Sequence, residues 1–289
     1  MALELAAALG DVEVVTADSM QVYRGMDIGT AKPTAEQRRA VVHHLIDLVE
    51  PAQPWSVTDW AAAARLAVAG VERRGHRALL VGGSGLYVQA LVDGLTPPGR
   101  YPDVRAELEA RADVPGGEGS AGLHRLLATV DPRAASRMEP SNRRRVIRAL
   151  EVTLGSGTPF SNFGPGLNVH PPTRWRLRGL WLPRPVVARR IEGRFEAMVA
   201  SGLVAEVEQL AASGMGRTAR QALGYREVLS HLEGGIALPA ALEQAVARTR
   251  TFARRQRMWW RRDPRITWVG TAQNPLAVVP ALLGDWSRP

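Results

Sequence analysis

Asp18 follows an apolar run, Val12 to Val15, that is bounded by polar residues and passes through Thr16 and Ala17. Such a run reads as a short buried strand. Ligands of doubly wound sheets lie beyond the carboxyl ends of the strands, so a carboxylate in this place faces a candidate active site. It can accept a proton there, or it can cap a turn. A second apolar run, Ala78 to Val81, ends in Gly82-Gly83-Ser84-Gly85 and opens a helix, whose free N–H groups can face an anion or a base. The same turn is also a common packing device, and it lacks the Lys-Ser/Thr of a Walker A loop. Arginines supply the third element. Arg250, Arg254, Arg257 and Arg261 fall at i, i+4, i+7 and i+11, one stripe of a helix, with Phe252, Gln256 and Trp259 on another face. Arg143, Arg144, Arg145 and Arg148 form a second cluster. Either cluster suits a phosphate backbone, and either can be a solvated helix face.

Composition narrows the chemistry. The 289 residues carry 37 Lys and Arg against 28 Asp and Glu, a net charge of +9. A polyanionic partner is expected, because phosphates attract a basic surface by Coulomb energy and counterion release. Lys32 is the single lysine, so the positive charge is almost all arginine. With no cysteine, disulfides, thiolate-bound zinc and cysteine nucleophiles are excluded. His43 and His44 are adjacent, but His76, His124, His170 and His231 are scattered and lack ligand spacing, so no metal site is read from histidine. The hydrophobic fraction is 45%, and no apolar run reaches the roughly 20 residues that span a bilayer. No signal-peptide pattern follows Met1, and a cytoplasmic, monomeric protein is expected.

The elements that must hold these residues alternate. The segment Ala2 to Leu9 reads as a helix without an N-terminal cap, followed by the Val12 strand, a loop, and a helix from about Thr34. An amphipathic helix spans about Ala61 to Arg74 and leads into the Ala78 strand. This order indicates α/β architecture with a parallel sheet flanked by helices. From about Arg100 the pattern changes to short helices around Val104 to Ala112, Gly122 to Val130 and Asn142 to Leu154, with no strands between them. A Gly-, Pro-, Ser- and Asn-rich loop, GSGTPFSNFGPGLNVHPPT, closes this stretch. A strand at Leu177 to Leu182 returns to the sheet, and helices follow at Pro185 to Ser201, Leu203 to Ser213 and about Leu238 to Arg261. The expected organisation is a core of residues 1–99 and 173–289 around a helical insertion domain, 100–172.

The string DSMQVYRGMDIGTAKP, from Asp18 to Pro33, closely resembles the signature of tRNA dimethylallyltransferases. VGGSGLYVQALVDGL resembles a second family segment, with GG[ST]-x-LY in the same place. Further matches run in order: YPDVR ending at Arg105, NRRRVIRALE from Asn142 to Glu151, RRIEGRF around Arg190 and Arg194, QALGY from Gln221 to Tyr225, and TFARRQRMWWRRDPRITW from Thr251 to Trp268. The resemblance spans essentially the whole chain and implies a P-loop-NTPase-like fold. It further implies transfer of a dimethylallyl group from dimethylallyl diphosphate to the exocyclic N6 amine of the adenosine 3′-adjacent to the anticodon, with the anticodon stem-loop of tRNA as partner and Mg²⁺ as cofactor. Asp18 is then the general base. Asp18, Ser19, Met20, Gln21 and Ser84 hold the flipped adenosine and its neighbours, and Arg105, Arg144, Arg145, Arg148, Arg254 and Arg257 bind the tRNA. Arg190 or Arg194, on one helical face, stabilises the leaving diphosphate. Lys32, in the TAK turn, is a weaker candidate for phosphate contact. Tyr23 packs against the site or lies in the core.

The family pattern also contains a short strand and a loop G-x-T-x-x-G-K-[ST] directly before the helix that reads MALELAAALG here, and these 289 residues contain no such loop. A late start codon or a truncation accounts for this equally well. A parallel sheet without that strand is expected to leave an exposed apolar groove beside the Ala2 to Leu9 helix. Two other readings share the observations: a catalytically inactive tRNA-binding remnant, and a P-loop-type small-molecule kinase, which has no use for two arginine clusters.

Overall fold

The computed structural model describes residues 1–95, 97–114, 119–163 and 166–286. The chain divides into two compact units, Met1–Asp93 with Pro172–Pro289, and Gly94–Pro171.

In the first unit, α1 (Ala2–Leu9) leads to β1 (Val12–Thr16), and α2 (Ala35–Ala40) to the two-residue β2 (His43–His44). α3 (Val57–Arg73), β3 (Arg77–Val81) and α4 (Gly85–Val92) follow. The ends of α2 and α3 are written locally. Thr34 with Gln37, and Ser56 with Asp59, form reciprocal capping boxes that satisfy otherwise orphaned N–H groups. β1 is central in a parallel ladder of order β2-β1-β3, and every one of its residues is buried. Three of its five residues are valines, as suits a strand covered on both faces, and its one charge, Glu13, is paired with Arg74, His44 and His76. The α2 segment is shorter than a helix begun at Thr34 suggests, because the chain turns at once into β2. The adjacent histidines His43 and His44 are that strand.

The second half of this unit contains β4 (Arg178–Trp181), α9 (Arg184–Ala200), α10 (Leu203–Ser213), α11 (Tyr225–Leu232), α12 (Leu238–Trp260), β5 (Thr267–Gly270) and α13 (Val279–Trp286). β4 and β5 form their own parallel pair. Both ladders rest on one apolar layer, in which Leu5 of α1 and Leu282 of α13 pack with Leu79 of β3, Leu180 of β4 and Val269 of β5. β3 and β4 do not pair with each other. Between them lies a groove of about 1540 Å³ walled by β3, β4 and the α1 residues Ala2, Leu5, Ala8 and Leu9. An apolar groove is expected beside this helix; the groove found there is also lined by arginines of β4, α9 and α12.

The second unit is helical among its described residues: α5 (Pro102–Ala112), α6 (Gly119–Val130), α7 (Pro132–Ala135) and α8 (Arg143–Ser156). Its core joins Leu108, Leu123, Leu127, Val146, Ile147 and Leu150, the apolar faces of α5, α6 and α8. The Gly- and Pro-rich closing loop contributes one 3₁₀ turn, Phe160–Asn162, and its Gly164 and Pro165 lie outside the described residues.

Candidate active site

β1 and β3 are parallel neighbours in register from Val12 with Arg77 to Thr16 with Val81, so their carboxyl ends emerge side by side. Asp18 follows the first and Ser84 the second. The contact is close: the Ala17 N–H donates to the Val81 carbonyl at 2.7 Å, and a Cβ on Gly82 would lie 2.2 Å from the Ala17 carbonyl oxygen. Trp60 of α3 braces the same ends from below. It is fully buried, donates from Nε1 to the Thr16 carbonyl at 3.1 Å, and stands with its ring 5.1 Å from that of Tyr87 on α4.

Asp18 is half-buried. Its Oδ1 accepts from the N–H of Met20 at 2.8 Å and, more weakly, of Gln21 at 3.4 Å, while Oδ2 has no hydrogen-bond partner among the described residues. Burial pushes its pKa above the ordinary aspartate value, and the two N–H groups hold it back in part. One oxygen thus caps the turn and the other is left open. Ser84 occupies the N-cap position of α4 but its side chain caps nothing, leaving its hydroxyl uncommitted to the helix. Gln21 is turned inward, its Nε2 donating to the Thr30 carbonyl at 3.0 Å.

α12 closes over the glycine turn. A Cβ on Gly83 would lie 2.1 Å from Gln256 Nε2, and one on Gly85 2.4 Å from the Trp259 ring. The turn is therefore glycine-rich because the helix face carrying Gln256 and Trp259 presses onto it. The arginine face of the same helix turns to the groove, where Arg250, Arg254 and Arg257 join Arg184 from the first turn of α9. Arg257 sits 5.4 Å from the centroid of the Trp181 ring. Its pKa is lowered by burial first, and the neighbouring charges of Arg261 and Arg184 add to the shift. Arg250 is the exception, paired with Glu192 of α9.

Other candidates lie elsewhere. Arg190 and Arg194 are exposed on α9 and are not in the groove wall. Lys32 corrects its expectation. Its side chain is 1% exposed, and Nζ donates to the Tyr23 carbonyl at 2.8 Å and to Asp27 and Asp47, each at 2.6 Å, so its three donors are consumed inside the loop. Tyr23 is fully buried, and the core reading is the one realised. Ser19 and Met20 are half-buried beside Asp18.

In the helical unit, Arg105 and Arg148 converge on Glu151, whose side chain is 2% exposed, at 3.3 and 2.8 Å. Arg143 pairs with Asp113. Arg144 and Arg145 remain exposed on the first turn of α8. Sequence reasoning grouped these residues by proximity; a helix separates them by face. It also passed over Arg184, which the rule that selects Asp18, a polar residue just beyond a strand, selects equally. No group of three or more His, Cys, Asp or Glu is placed to hold a metal ion among the described residues.

The sequence model of the IPP transferase family matches residues 21–263. The chain is 46% identical over 273 residues to a tRNA dimethylallyltransferase of Geobacter metallireducens, covering 93% of this chain and 87% of that protein. A tRNA dimethylallyltransferase of Nocardioides is 43% identical over 290 residues, covering 98% and 92%. Among solved structures, the tRNA isopentenylpyrophosphate transferase of Bacillus halodurans superposes with a TM-score of 0.70 at 36% identity, over 99% of this chain and 90% of that one. A eukaryotic dimethylallyltransferase acting on tRNA, 22% identical with a TM-score of 0.75, over 99% of this chain and 77% of that one, shares the fold.

Proposed function

Because the chain belongs to the IPP transferase family, we propose that it transfers a dimethylallyl group from dimethylallyl diphosphate to the N6 amine of the adenosine 3′-adjacent to the anticodon in tRNA. The observation that carries the reading is Asp18: a half-buried carboxylate with one oxygen held and one open, at the paired ends of β1 and β3. N6 attacks the allylic carbon as its bond to the diphosphate oxygen breaks; diphosphate departs with the bonding electrons, and the N6 proton passes to Asp18. An exocyclic amine is a weak nucleophile, its lone pair delocalised into the ring, so a positioned base assists by roughly 10²- to 10⁴-fold. Reaching a carboxylate at the sheet end requires the adenine to leave its stack. Met20, Gln21 and the Ser84 hydroxyl border the place it enters.

The departing charge needs cations, and the groove supplies Arg184, Arg254 and Arg257 beside the glycine turn. Arg190 and Arg194 serve as leaving-group residues only if α9 meets the diphosphate through its exposed face. Arg144 and Arg145 offer the RNA backbone two exposed charges in the helical unit. Mg²⁺, if it accompanies the diphosphate, would offset the charge of the leaving group beside the guanidiniums of Arg184, Arg254 and Arg257. The test is single-turnover transfer of a labelled prenyl group to an anticodon stem-loop with adenosine at the 3′ position. Transfer that needs this adenosine supports the reading. Retained RNA binding with no transfer replaces it by an RNA-binding role.

A further inference from the structure

The loop that carries Asp18 is held at a distance by one carboxylate. Glu206 of α10 accepts from three consecutive backbone N–H groups: Asp27 at 3.0 Å and Ile28 at 2.8 Å on Oε2, and Gly29 at 3.2 Å on Oε1. Oε1 also accepts from the Tyr225 hydroxyl at 2.5 Å. Successive N–H groups pointing into one concavity form an anion nest, and here the anion belongs to the protein. The loop lies flat on this support, since a Cβ on Gly29 would be 2.4 Å from the Tyr225 ring and 2.9 Å from Leu203.

The next residue transmits the restraint. The Thr30 carbonyl accepts from Gln21 Nε2 at 3.0 Å, and the Gln21 N–H donates in turn to Asp18 Oδ1 at 3.4 Å. Resting on the assignment of Asp18 as the base, we propose that Glu206, braced by Tyr225, is a positioning residue: it fixes the 27–30 strap, and through Gln21 the strap sets the Asp18 carboxylate against the adenine. A carboxylate suits this post better than an amide, because it presents acceptor lone pairs on both oxygens and each charge-assisted bond is stronger than a neutral one. The alternative is a local cap that stabilises the strap and nothing beyond it.

Glu206→Gln separates the two. The amide keeps one acceptor and turns an NH₂ toward a backbone N–H, so the strap loosens without loss of side-chain volume. Amide hydrogen exchange should quicken at Asp27 to Gly29 and also at Met20 and Gln21, with β1 and β3 unchanged. In single-turnover transfer the rate should fall by about tenfold or more, since small misplacements of a reacting group cost this much. The Km for dimethylallyl diphosphate should stay constant, because none of these residues walls the groove. The acid limb of the rate should move to higher pH, because loss of N–H donation destabilises the charged carboxylate. Tyr225→Phe, which keeps the ring and removes one bond, should act in the same direction more weakly. Faster exchange confined to residues 27–29, with unchanged transfer and an unmoved acid limb, overturns the proposal. If the unsubstituted protein transfers no prenyl group, the reaction assigned above fails. Exchange at Met20 and Gln21 in Glu206→Gln then decides the coupling, unchanged exchange again overturning it.

Discussion

The Asp18 loop and the arginine end of the groove are neighbours in one unit, yet their charges are treated in opposite ways. In the loop, the Lys32 ammonium has three oxygen partners, Glu206 has four donors, and Asp18 itself has two. In the groove, Arg257 leans on the face of Trp181, and burial first, then the charges of Arg261 and Arg184, lower its pKa. Fully partnered charges rigidify; gathered like charges hold free energy that an anion releases. A base that must meet a nucleobase amine at hydrogen-bond range gains from the first arrangement, and a site for a diphosphate that arrives and departs gains from the second.

Asp18→Asn should produce the largest effect on this contrast. The amide keeps the shape and the turn but cannot accept the proton. Single-turnover transfer should drop by roughly 10²- to 10⁴-fold with RNA affinity retained. In the unsubstituted protein the transfer rate should fall as pH falls through the Asp18 pKa, which burial places above the ordinary value near 3.8. The substitution should abolish that limb. Near-normal transfer would remove Asp18 as the base.

Lys32→Met should act on stability and leave diphosphate affinity unchanged. It removes the common cation of Asp27 and Asp47, but Asp47 keeps Arg38 at 2.7 Å and the Asp27 side chain is 54% exposed, so the cost is that of the lost charge-assisted hydrogen bonds, about 1.5–3 kcal/mol. Denaturant unfolding reads the loss. Lower diphosphate affinity with unchanged stability would return Lys32 to the anion site.

Glu13 offers a partnered charge at the opposite end of β1. Its side chain is 4% exposed among Arg74, His44 and His76, and the Arg74 guanidinium leads in drawing its pKa down to about 2 from 4.5. A depressed carboxylate contributes stability that is complete above the unfolded pKa and is lost as pH falls through the folded one. Roughly 2 kcal/mol should therefore disappear between about pH 4.5 and 2, a figure reduced for the half-exposed Arg74. Glu13→Gln should flatten that part of an acid-unfolding curve, and an unchanged curve would show the cluster to be energetically idle.

How much of this was legible in the sequence depends on the range of the interaction. The strands β1 and β3, the amphipathic helices and the reach of α12 follow from local periodicity, and Asp18 from its place after a strand. β2, two residues long, is too short to assert a period; β5, α11 and α13 are as long as β4 and α1, so length alone does not account for them. Lys32 shows the limit for the site. A lone lysine in a polar loop reads as available, and only the fold brings Asp47 to it across 15 residues. Glu206 gave no signal, because three of its four donors are backbone groups 177 to 179 residues away, and backbone groups carry no residue type.

The smallest expected effect concerns which polyanion the arginines serve. Arg254 and Arg257 form one stripe with Arg250 and Arg261, which as a sequence suits an RNA backbone; the fold puts Arg254 and Arg257 in a groove wall and leaves Arg144 and Arg145 exposed on α8. Each phosphate contact contributes roughly 0.7 to 0.9 to the slope of log affinity against log salt, so a pair of true contacts is worth about 1.5 in slope. Arg144→Ala with Arg145→Ala should reduce the slope for the anticodon stem-loop by that amount and leave inorganic diphosphate binding unchanged. Arg254→Ala with Arg257→Ala should weaken diphosphate binding by about tenfold and alter the RNA slope by less than the other pair does. The Arg257 guanidinium also fills space beside Trp181, so Arg257→Met, which keeps the bulk without the charge, separates lost packing from lost attraction. If the Arg254 and Arg257 pair instead carries the larger share of the RNA slope, the groove end belongs to the RNA path, and the division between a rigid base-holding half and a charged anion-holding half gives way to one continuous nucleic-acid surface.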